Sequence, residues 1–280
     1  MNNTIHPCIW YDGNAKEAAS FYCGLFSNSR ISADTPMVVN FELEGQKFMG
    51  LNGGPKFSPN PSISFFVIGE TNEDIDTLWQ SLSDGGQVMM PLDKYDWSEY
   101  YGFVQDQFGL SWQLMKGKYS DVNQKITPCF LFTNAQYGKA EEAVRLYTGL
   151  FPHSSISGIL LYGEGEAQAA GKVKHSQFIL QEKVFMAMDG PGDHHFSFTE
   201  GLSFVVECNT QEEIDFYWNT LTSDGGQESM CGWLKDRFGV SWQIIPAHLG
   251  KLMTDPARAG RVMQALLQMK KLNIEQLENA

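Results

Sequence analysis

Two glutamines at repeated positions are the residues of this sequence best suited to hold a small molecule in a cleft. Gln113 ends the segment DQFGLSWQ (106–113), and Gln243 ends the segment DRFGVSWQ (236–243). Strand alternation puts Gln113 on the face of its strand opposite Trp112. A cleft amide both donates and accepts hydrogen bonds, which suits a neutral or anionic ligand. The other interpretation is that the amide satisfies backbone groups in a filled sheet, and the pattern leaves both open.

Groups that could act as acids, bases or nucleophiles are scattered along the chain. The sequence contains no G-x-S-x-G, Walker or H-E-x-x-H motif. An enzyme with an atypical site would need an acid or base in a cleft, and the nearest candidates are Glu99, Asp189 and His175. Cys8 and Cys129 lie on apolar strands at repeated positions, which favours small buried core residues over nucleophiles.

The elements that must position these groups occur twice, because the chain is a tandem duplication. Matched residues follow the same order in both copies: Pro7 and Pro128, Cys8 and Cys129, Phe48 and Phe185, Ser64 and Ser203, Trp79 and Trp218, and Asp106 and Asp236. Asp106 and Asp236 begin the last turn of each copy, so we expect their carboxylates to accept turn hydrogen bonds.

Within each copy, a pattern of one strand, one helix and several short strands occurs twice. Asn14 is the expected cap of the first helix. Thr71 with Asp74, and Thr210 with Glu213, have the spacing of capping boxes at the second helix of each copy. The pattern predicts an α+β chain of four βαβββ modules in two domains, residues 1–118 and 125–246, with a helical tail at 250–280.

Two stretches have no counterpart in the other copy. Residues 90–101 (MPLDKYDWSEYY) form an aromatic and polar insertion, which is either a lid over a cleft or a plain interface loop. In the tail, Thr254 is the expected cap of a helix with Pro256 at its first position. We expect that helix to pack on the body of the protein or on a partner subunit.

The composition excludes several classes of protein. The chain has 33 acidic and 20 basic residues, a formal charge of −13, and 42% hydrophobic residues. A negative field repels nucleic acid and anionic membrane surfaces, and no apolar run is long enough to span a bilayer. The five cysteines include no C-x-x-C pair, which favours reduced thiols in the cytoplasm.

Several segments carry a resemblance to a known family. The start PCIWYDGNAKEAASFY, the hairpin FMGLNGGP, the finish DQFGLSWQLM and residues 201–246 resemble the PhnB-like proteins, labelled "3-demethylubiquinone methyltransferase". These belong to the vicinal oxygen chelate superfamily of glyoxalases, bleomycin-resistance proteins and dioxygenases. The resemblance covers residues 5–246 and implies two glyoxalase-like domains. Single-domain members are expected to dimerise, so the two copies would form an internal pseudo-dimer, and a further homodimer is left open.

The resemblance also indicates where metal ligands would lie in metal-using relatives. Where metal-using relatives have carboxylates, this sequence has Gln113, Gln243, Met49 and Met186. Near the positions of the expected histidines it has Ser64 and Ser203. Amides and thioethers are poor ligands for a hard divalent cation. We therefore expect no metal and no cofactor, and we take these six residues as candidates for lining a ligand cleft.

The function expected from these observations is metal-free binding of a small molecule. The alternative is an enzyme of the glyoxalase, dioxygenase or isomerase kind with an atypical site. A structural role is favoured only if aromatic side chains fill both clefts. Methyl transfer is not expected, because the sequence lacks the glycine-rich turn that usually holds S-adenosylmethionine.

Overall fold

The first copy of the repeat folds in the predicted order of strands and helices. The computed structural model describes residues 5–166 and 169–280. The elements of the first copy are β1 (Ile5–Tyr11), α1 (Ala15–Leu25), β2 (Arg30–Asp34), β3 (Val38–Leu43), β4 (Gln46–Asn52), β5 (Ile63–Gly69), α2 (Asn72–Ser83), β6 (Gln87–Tyr95), β7 (Ser98–Gln105) and β8 (Ser111–Lys116).

The second copy repeats this order and is followed by short helices. Its elements are β9 (Ile126–Phe132), α3 (Ala140–Leu150), β10 (Ser155–Leu161), β11 (Val173–Leu180), β12 (Lys183–Asp189), β13 (Leu202–Cys208), α4 (Gln211–Leu221), β14 (Gln227–Glu228), β15 (Trp233–Lys235) and β16 (Ser241–Pro246). The tail contains α5 (Leu249–Thr254), α6 (Ala259–Leu266) and α7 (Ile274–Glu278). The α+β class and the four modules are confirmed. Among the described residues, no helix has both the length and the apolar character needed to cross a bilayer.

The chain divides into two compact units. The central unit contains Ile9–Leu202, and the terminal unit contains the chain up to Cys8 together with Ser203–Ala280. The central unit holds a sheet of strand order β10-β11-β12-β9-β5-β8-β7-β6 and the antiparallel strands β2, β3 and β4. In the terminal unit β13 and β16 are parallel, and β15 pairs with β16 and β14.

Strands from both copies share the central sheet. β5 of the first copy pairs antiparallel with β9 of the second, and Ser64 lies opposite Cys129. The second half of one copy is thereby joined to the first half of the other. The domain boundaries at 1–118 and 125–246 stay a prediction.

The two faces of the central sheet differ in what covers them. One face packs on helices: the Trp112 ring lies 5.4 Å from the ring of Tyr22 in α1, and the Phe130 ring lies 6.1 Å from that of Tyr147 in α3. The other face, called here the Gln113 face, carries Phe66, Ile68, Tyr101, Phe103, Cys129, Val184 and Met186. Gln113 therefore lies opposite the helix layer, as strand alternation predicts.

The start of α1 differs from the prediction. Asn14 makes no capping side-chain bond, because its backbone (φ −109°, ψ 21°) is not in the extended conformation of a capping residue. Asn52 Oδ1, at the end of β4, instead accepts from the Ala15 amide at 2.9 Å. In the second copy Asp189, at the end of β12, accepts from the Ala140 amide at 3.2 Å. Strand ends cap the helices, which local sequence patterns do not reveal.

The second helix of each copy begins as predicted, with one difference. In α2, Thr71 and Asp74 form both bonds of the capping box at 3.1 Å. In α4, Thr210 accepts from the Glu213 amide at 3.3 Å, whereas the Glu213 carboxylate accepts from the Asn209 amide.

Two further expectations need correction. Residues 90–101 are mostly strand, since they lengthen β6 and β7 into one hairpin in place of the expected loop. The helical tail is confirmed, but the predicted helix start at Thr254 and Pro256 is wrong: Thr254 ends α5, and α6 begins only at Ala259. Asp255 Oδ1 accepts from the Ala257 amide and forms a turn between the two helices. The tail helices pack on the body of the terminal unit through Ile245.

Candidate functional site

Three of the six predicted cleft residues, Gln113, Ser64 and Met186, come together with Tyr101 and Cys129 on the Gln113 face. Tyr101 donates its hydroxyl to Gln113 Oε1 at 2.7 Å, and Gln113 Nε2 donates to Ser64 Oγ at 2.8 Å. Cys129 lies opposite Ser64 in the neighbouring strand, and Met186 lies opposite Cys129 in the next. We call these residues the Gln113 cluster.

Burial keeps the Gln113 cluster uncharged near neutral pH. Loss of solvent raises the pKa of the Cys129 thiol to about 12, although a hydrogen bond with Gln113 opposes part of the change. Burial also raises the pKa of Tyr101, and the neighbouring Cys129 and Tyr95 add to this. The cluster therefore offers neutral donors and acceptors to whatever lies on this face.

A second cluster in the terminal unit repeats part of this arrangement. Gln243 Nε2 donates to Ser203 Oγ at 3.0 Å, and Ser203 Oγ donates to the Cys8 carbonyl at 3.5 Å. Burial raises the pKa of the Cys8 thiol to about 12, and hydrogen bonds with Gln243 and Ser203 oppose part of the change. We call these residues the Gln243 cluster. Met49, the sixth predicted residue, is half-buried on β4 opposite Asn40.

The two clusters differ at the glutamine oxygen. Phe103 lies opposite Gln113 and Trp233 lies opposite Gln243, so the repeat position of Tyr101 is occupied by Cys231. Within residues 5–166 and 169–280, no group is found donating to Gln243 Oε1. Sequence reasoning missed the Tyr101 bond, because Tyr101 belongs to the stretch without a counterpart in the second copy.

Flexible side chains add to the apolar part of the Gln113 face. Partly buried residues pack against its apolar residues: Met89, Met90, Tyr95, Met115 and Met188. At the end of the hairpin, the Tyr95 and Trp97 rings stack with centroids 4.9 Å apart. Trp97 is 59% exposed, so a large aromatic surface stands at the rim of this face.

The proposed acid and base residues do not converge. Asp189 is buried, and its carboxylate accepts from the amides of Gly138 (2.8 Å), Ala140 (3.2 Å) and Val173 (2.9 Å). Glu99 is exposed on the hairpin. His175 is half-buried on β11, and burial lowers its pKa.

Asp106 and Asp236 accept the predicted turn hydrogen bonds and also bind side chains. Asp106 Oδ1 accepts from the Phe108 and Leu110 amides, and Oδ2 accepts from Trp112 Nε1 and the Tyr22 hydroxyl, both at 2.8 Å. Asp236 Oδ2 likewise accepts from Trp242 Nε1 at 2.9 Å. The tryptophan six residues after each aspartate is a sequence signal that could have predicted this contact.

A hard divalent cation does not fit the Gln113 cluster. Its donors are an amide oxygen already bonded to Tyr101, a hydroxyl, a thiol with a raised pKa and the Met186 thioether. Such ions prefer anionic oxygen or imidazole ligands. Nor do three or more His, Cys, Asp or Glu side chains gather as metal ligands anywhere in the described part of the chain.

Comparisons with known proteins agree with this architecture. The sequence pattern of the 3-demethylubiquinone-9 3-methyltransferase family matches residues 3–115 and 124–245. A Bacillus cereus protein described as a 3-demethylubiquinone-9 3-methyltransferase, PhnB protein, is 33% identical over 39% of this chain and 96% of its own, with a TM-score of 0.37.

A longer match shows the fold alone. Glyoxalase I from Zea mays covers 91% of this chain and 97% of its own, at 10% identity and a TM-score of 0.58. No curated protein matches the chain significantly. The chain therefore belongs to the 3-demethylubiquinone-9 3-methyltransferase (PhnB-like) family, with two copies of the family domain in a glyoxalase-like, vicinal oxygen chelate fold.

Proposed function

We propose that this protein binds a neutral, largely apolar small molecule on the Gln113 face, without a metal ion. The observation that carries the proposal is the chemistry of this face. Partly buried methionines and Tyr95 pack against the apolar residues of this face, which also carries the Gln113 cluster, uncharged near neutral pH. Methionine side chains adapt their shape to a ligand, and the amide supplies direction to an otherwise apolar contact.

The charge of the site supports a neutral ligand over an anionic one. The five side chains of the Gln113 cluster are uncharged near neutral pH, and the chain carries a formal charge of −13. A carboxylate or phosphate ligand would meet no opposite charge there. Trp97 offers a flat surface, which favours a ligand with a planar ring.

Methyl transfer, which the family name describes, is not part of the proposal. The chain has no glycine-rich turn of the kind that usually holds S-adenosylmethionine after a first parallel strand. Binding or sequestration therefore accounts for the residues present with fewer assumptions than methyl transfer.

Native mass spectrometry of the protein as purified, without added metal or chelator, tests the metal-free part of the proposal. We expect the bare 31.5 kDa chain, or the chain with an organic adduct. A stoichiometric divalent ion in each copy would overturn the proposal and favour the enzyme alternative.

A titration with the neutral planar dye Nile red tests the location of the site. We expect dye emission to rise on binding, and Trp97→Ala to weaken binding roughly fivefold, because stacking is worth on the order of 1 kcal/mol. Phe216→Ala is the matched control, since Phe216 is a similarly exposed aromatic residue on α4 (53%). Equal loss in both variants would contradict the proposed location.

An isomerase- or glyoxalase-type activity is the second candidate, and His175 is the observation that favours it. Strand alternation puts His175 on the same face as Gln177, which lies opposite Met186. Because burial lowers its pKa, the imidazole is neutral near pH 7 and can accept a proton. Any turnover found should fall at least about 100-fold in His175→Asn; unchanged turnover would remove this candidate.

A further inference from the structure

Two edge strands of the central unit occupy equivalent positions in the repeat but differ in charge. β2 has the sequence RISAD and β10 has the sequence SISGILL, so Arg30 corresponds to Ser155 and Asp34 to Ile159. The residues that precede them, Asn28 and His153, share a left-handed backbone (φ 46° and 53°), which supports the alignment. Each strand ends its sheet and is paired on one side only.

β2 is protected in the way edge strands usually are. Arg30 pairs with Glu42 at 3.0 Å, and Asp34 pairs with Lys16 at 2.6 Å. Charged side chains on an edge discourage pairing with another chain, because the incoming strand would have to desolvate them. Both pairs lie on the surface, so their role here is to block contact more than to stabilise the fold.

β10 has none of this protection. It contains no charged residue, Leu160 is 60% exposed and Leu161 is 44% exposed. The register shift at Ile156 and Gly158 also occurs at the equivalent positions of β2, and β10 has a second register shift between Leu160 and Leu161, at the end of the strand. An uncharged edge with exposed leucines is a template for an added strand.

We propose that β10 is the dimer interface of this protein, and that it pairs antiparallel with β10 of a second copy. A two-fold axis at Gly158 places Ile156 opposite Leu160 of the other copy, so apolar side chains meet across the new pair. No charged residue of β10 would lie opposite the same residue of the second copy. This favours pairing at β10, because two chains that each carry a charge of −13 repel one another elsewhere. On β11, beside β10, His175 is uncharged near pH 7 because burial lowers its pKa, and Lys174 pairs with Glu166 at 2.6 Å.

A groove beside the strand provides room for the incoming side chains. The groove has a volume of about 390 Å³ and is lined by Ser157, Gly158, Ile159, Leu160, His175 and Gln177. Seven residues extend over roughly 23 Å, so the contact is smaller than the roughly 800 Å² per partner of tight complexes. We therefore expect a dissociation constant in the micromolar range.

Analytical ultracentrifugation of the full chain over about 1–200 μM tests the proposal. The mass of wild-type protein should rise from 31.5 kDa towards twice that value. Ser155→Arg/Ile159→Asp transfers the charges of β2 to β10 and should weaken the dimer at least tenfold. Leu160→Lys provides a second disruption at a more exposed position, in case the double variant folds poorly.

Val88→Asp is the matched control, because Val88 is 46% exposed on β6, the opposite edge of the same sheet. It should leave the dimer unchanged. The proposal is overturned if wild-type protein stays monomeric throughout, if both β10 variants dimerise like wild type, or if Val88→Asp dissociates the dimer equally well.

Discussion

The Gln113 cluster and the Gln243 cluster start from the same sequence motif and end with different hydrogen bonding. Both glutamines donate to the repeat-equivalent serine, and both lie beside a buried cysteine. Their exposure is nearly equal, 6% for Gln113 and 7% for Gln243. Only Gln113 also accepts from a tyrosine. The duplication thus supplied the glutamine, the serine and the cysteine, whereas the unmatched hairpin supplied the tyrosine.

This difference separates two roles that a buried amide can have. With both ends bonded, the Gln113 amide is fixed in one orientation and can act as a rigid part of a binding surface. The Gln243 amide is held at its nitrogen alone, so its carbonyl can accept a donor from a ligand.

The largest effect should come from the carboxylate anchor beneath the Gln113 cluster. Asp106→Ala removes the acceptor of the Trp112 and Tyr22 side chains and leaves buried donors unsatisfied. We expect a loss of about 3–5 kcal/mol in the free energy of unfolding, measured by urea denaturation. Asp84→Ala, at an exposed position, should change it by less than about 0.5 kcal/mol. A small loss in Asp106→Ala would show that the anchor is dispensable.

Truncation of the two glutamines should sharpen the comparison. Gln113→Ala leaves both Tyr101 and Ser64 without a partner, and we expect it to cost about 2–3 kcal/mol. Gln243→Ala removes the bond with Ser203 and the contact with Cys8, which matches that of Gln113 with Cys129, but no tyrosine bond, and should cost about 1 kcal/mol. Urea denaturation of both variants measures the difference. Combining Gln113→Ala with Tyr101→Phe should show coupling, and strict additivity would contradict the proposed bond.

Each cluster contains a buried thiol. Because of these thiols, we expect the protein to lose stability at alkaline pH, by less than the loss expected for Gln113→Ala. The pKa of Cys8 and Cys129 is about 12 in the folded protein, against 9.0 for an ordinary thiol. Above about pH 9 the unfolded chain releases these protons while the folded chain retains them, so stability falls as pH rises. At pH 9.5 we expect a loss of about 1.7 kcal/mol from the two thiols together.

Urea denaturation between about pH 8 and 10 measures this slope. The double variant Cys8→Ala/Cys129→Ala should have a flatter slope than wild type. Cys23→Ala is the control, because Cys23 is only half-buried and should change the slope less. An unchanged slope in the double variant would show that the thiols titrate normally.

The repeat predicted the fold well because its signals are local. Strand alternation correctly placed Trp112 and Gln113 on opposite faces, and capping-box spacing located the starts of α2 and α4. The site was harder to predict, because it depends on contacts between distant segments. The side chain of Asn52, and not that of Asn14, accepts a hydrogen bond from the first turn of α1. No residue near Asn14 in sequence indicates that Asn52 lies there.

The start of the tail helix was predicted wrongly for a related reason. Thr254 and Pro256 form a valid local start signal, but the chain forms a turn at Asp255 and begins α6 later. Short helices gain most of their stability from packing, so burial of Val262 and Leu252 decides where they lie.

The seam between β5 and β9 has a consequence for the order of folding. The eight strands of the central sheet come from one unbroken stretch, residues 63–189. The terminal unit instead brings together the two ends of the chain, as the bond from Ser203 to Cys8 spans 195 residues. Loops that long close slowly. During synthesis the central sheet can therefore form while the ribosome still holds the last strands, whereas the bonds of Cys8 with Ser203 and Gln243 form only after those strands are released.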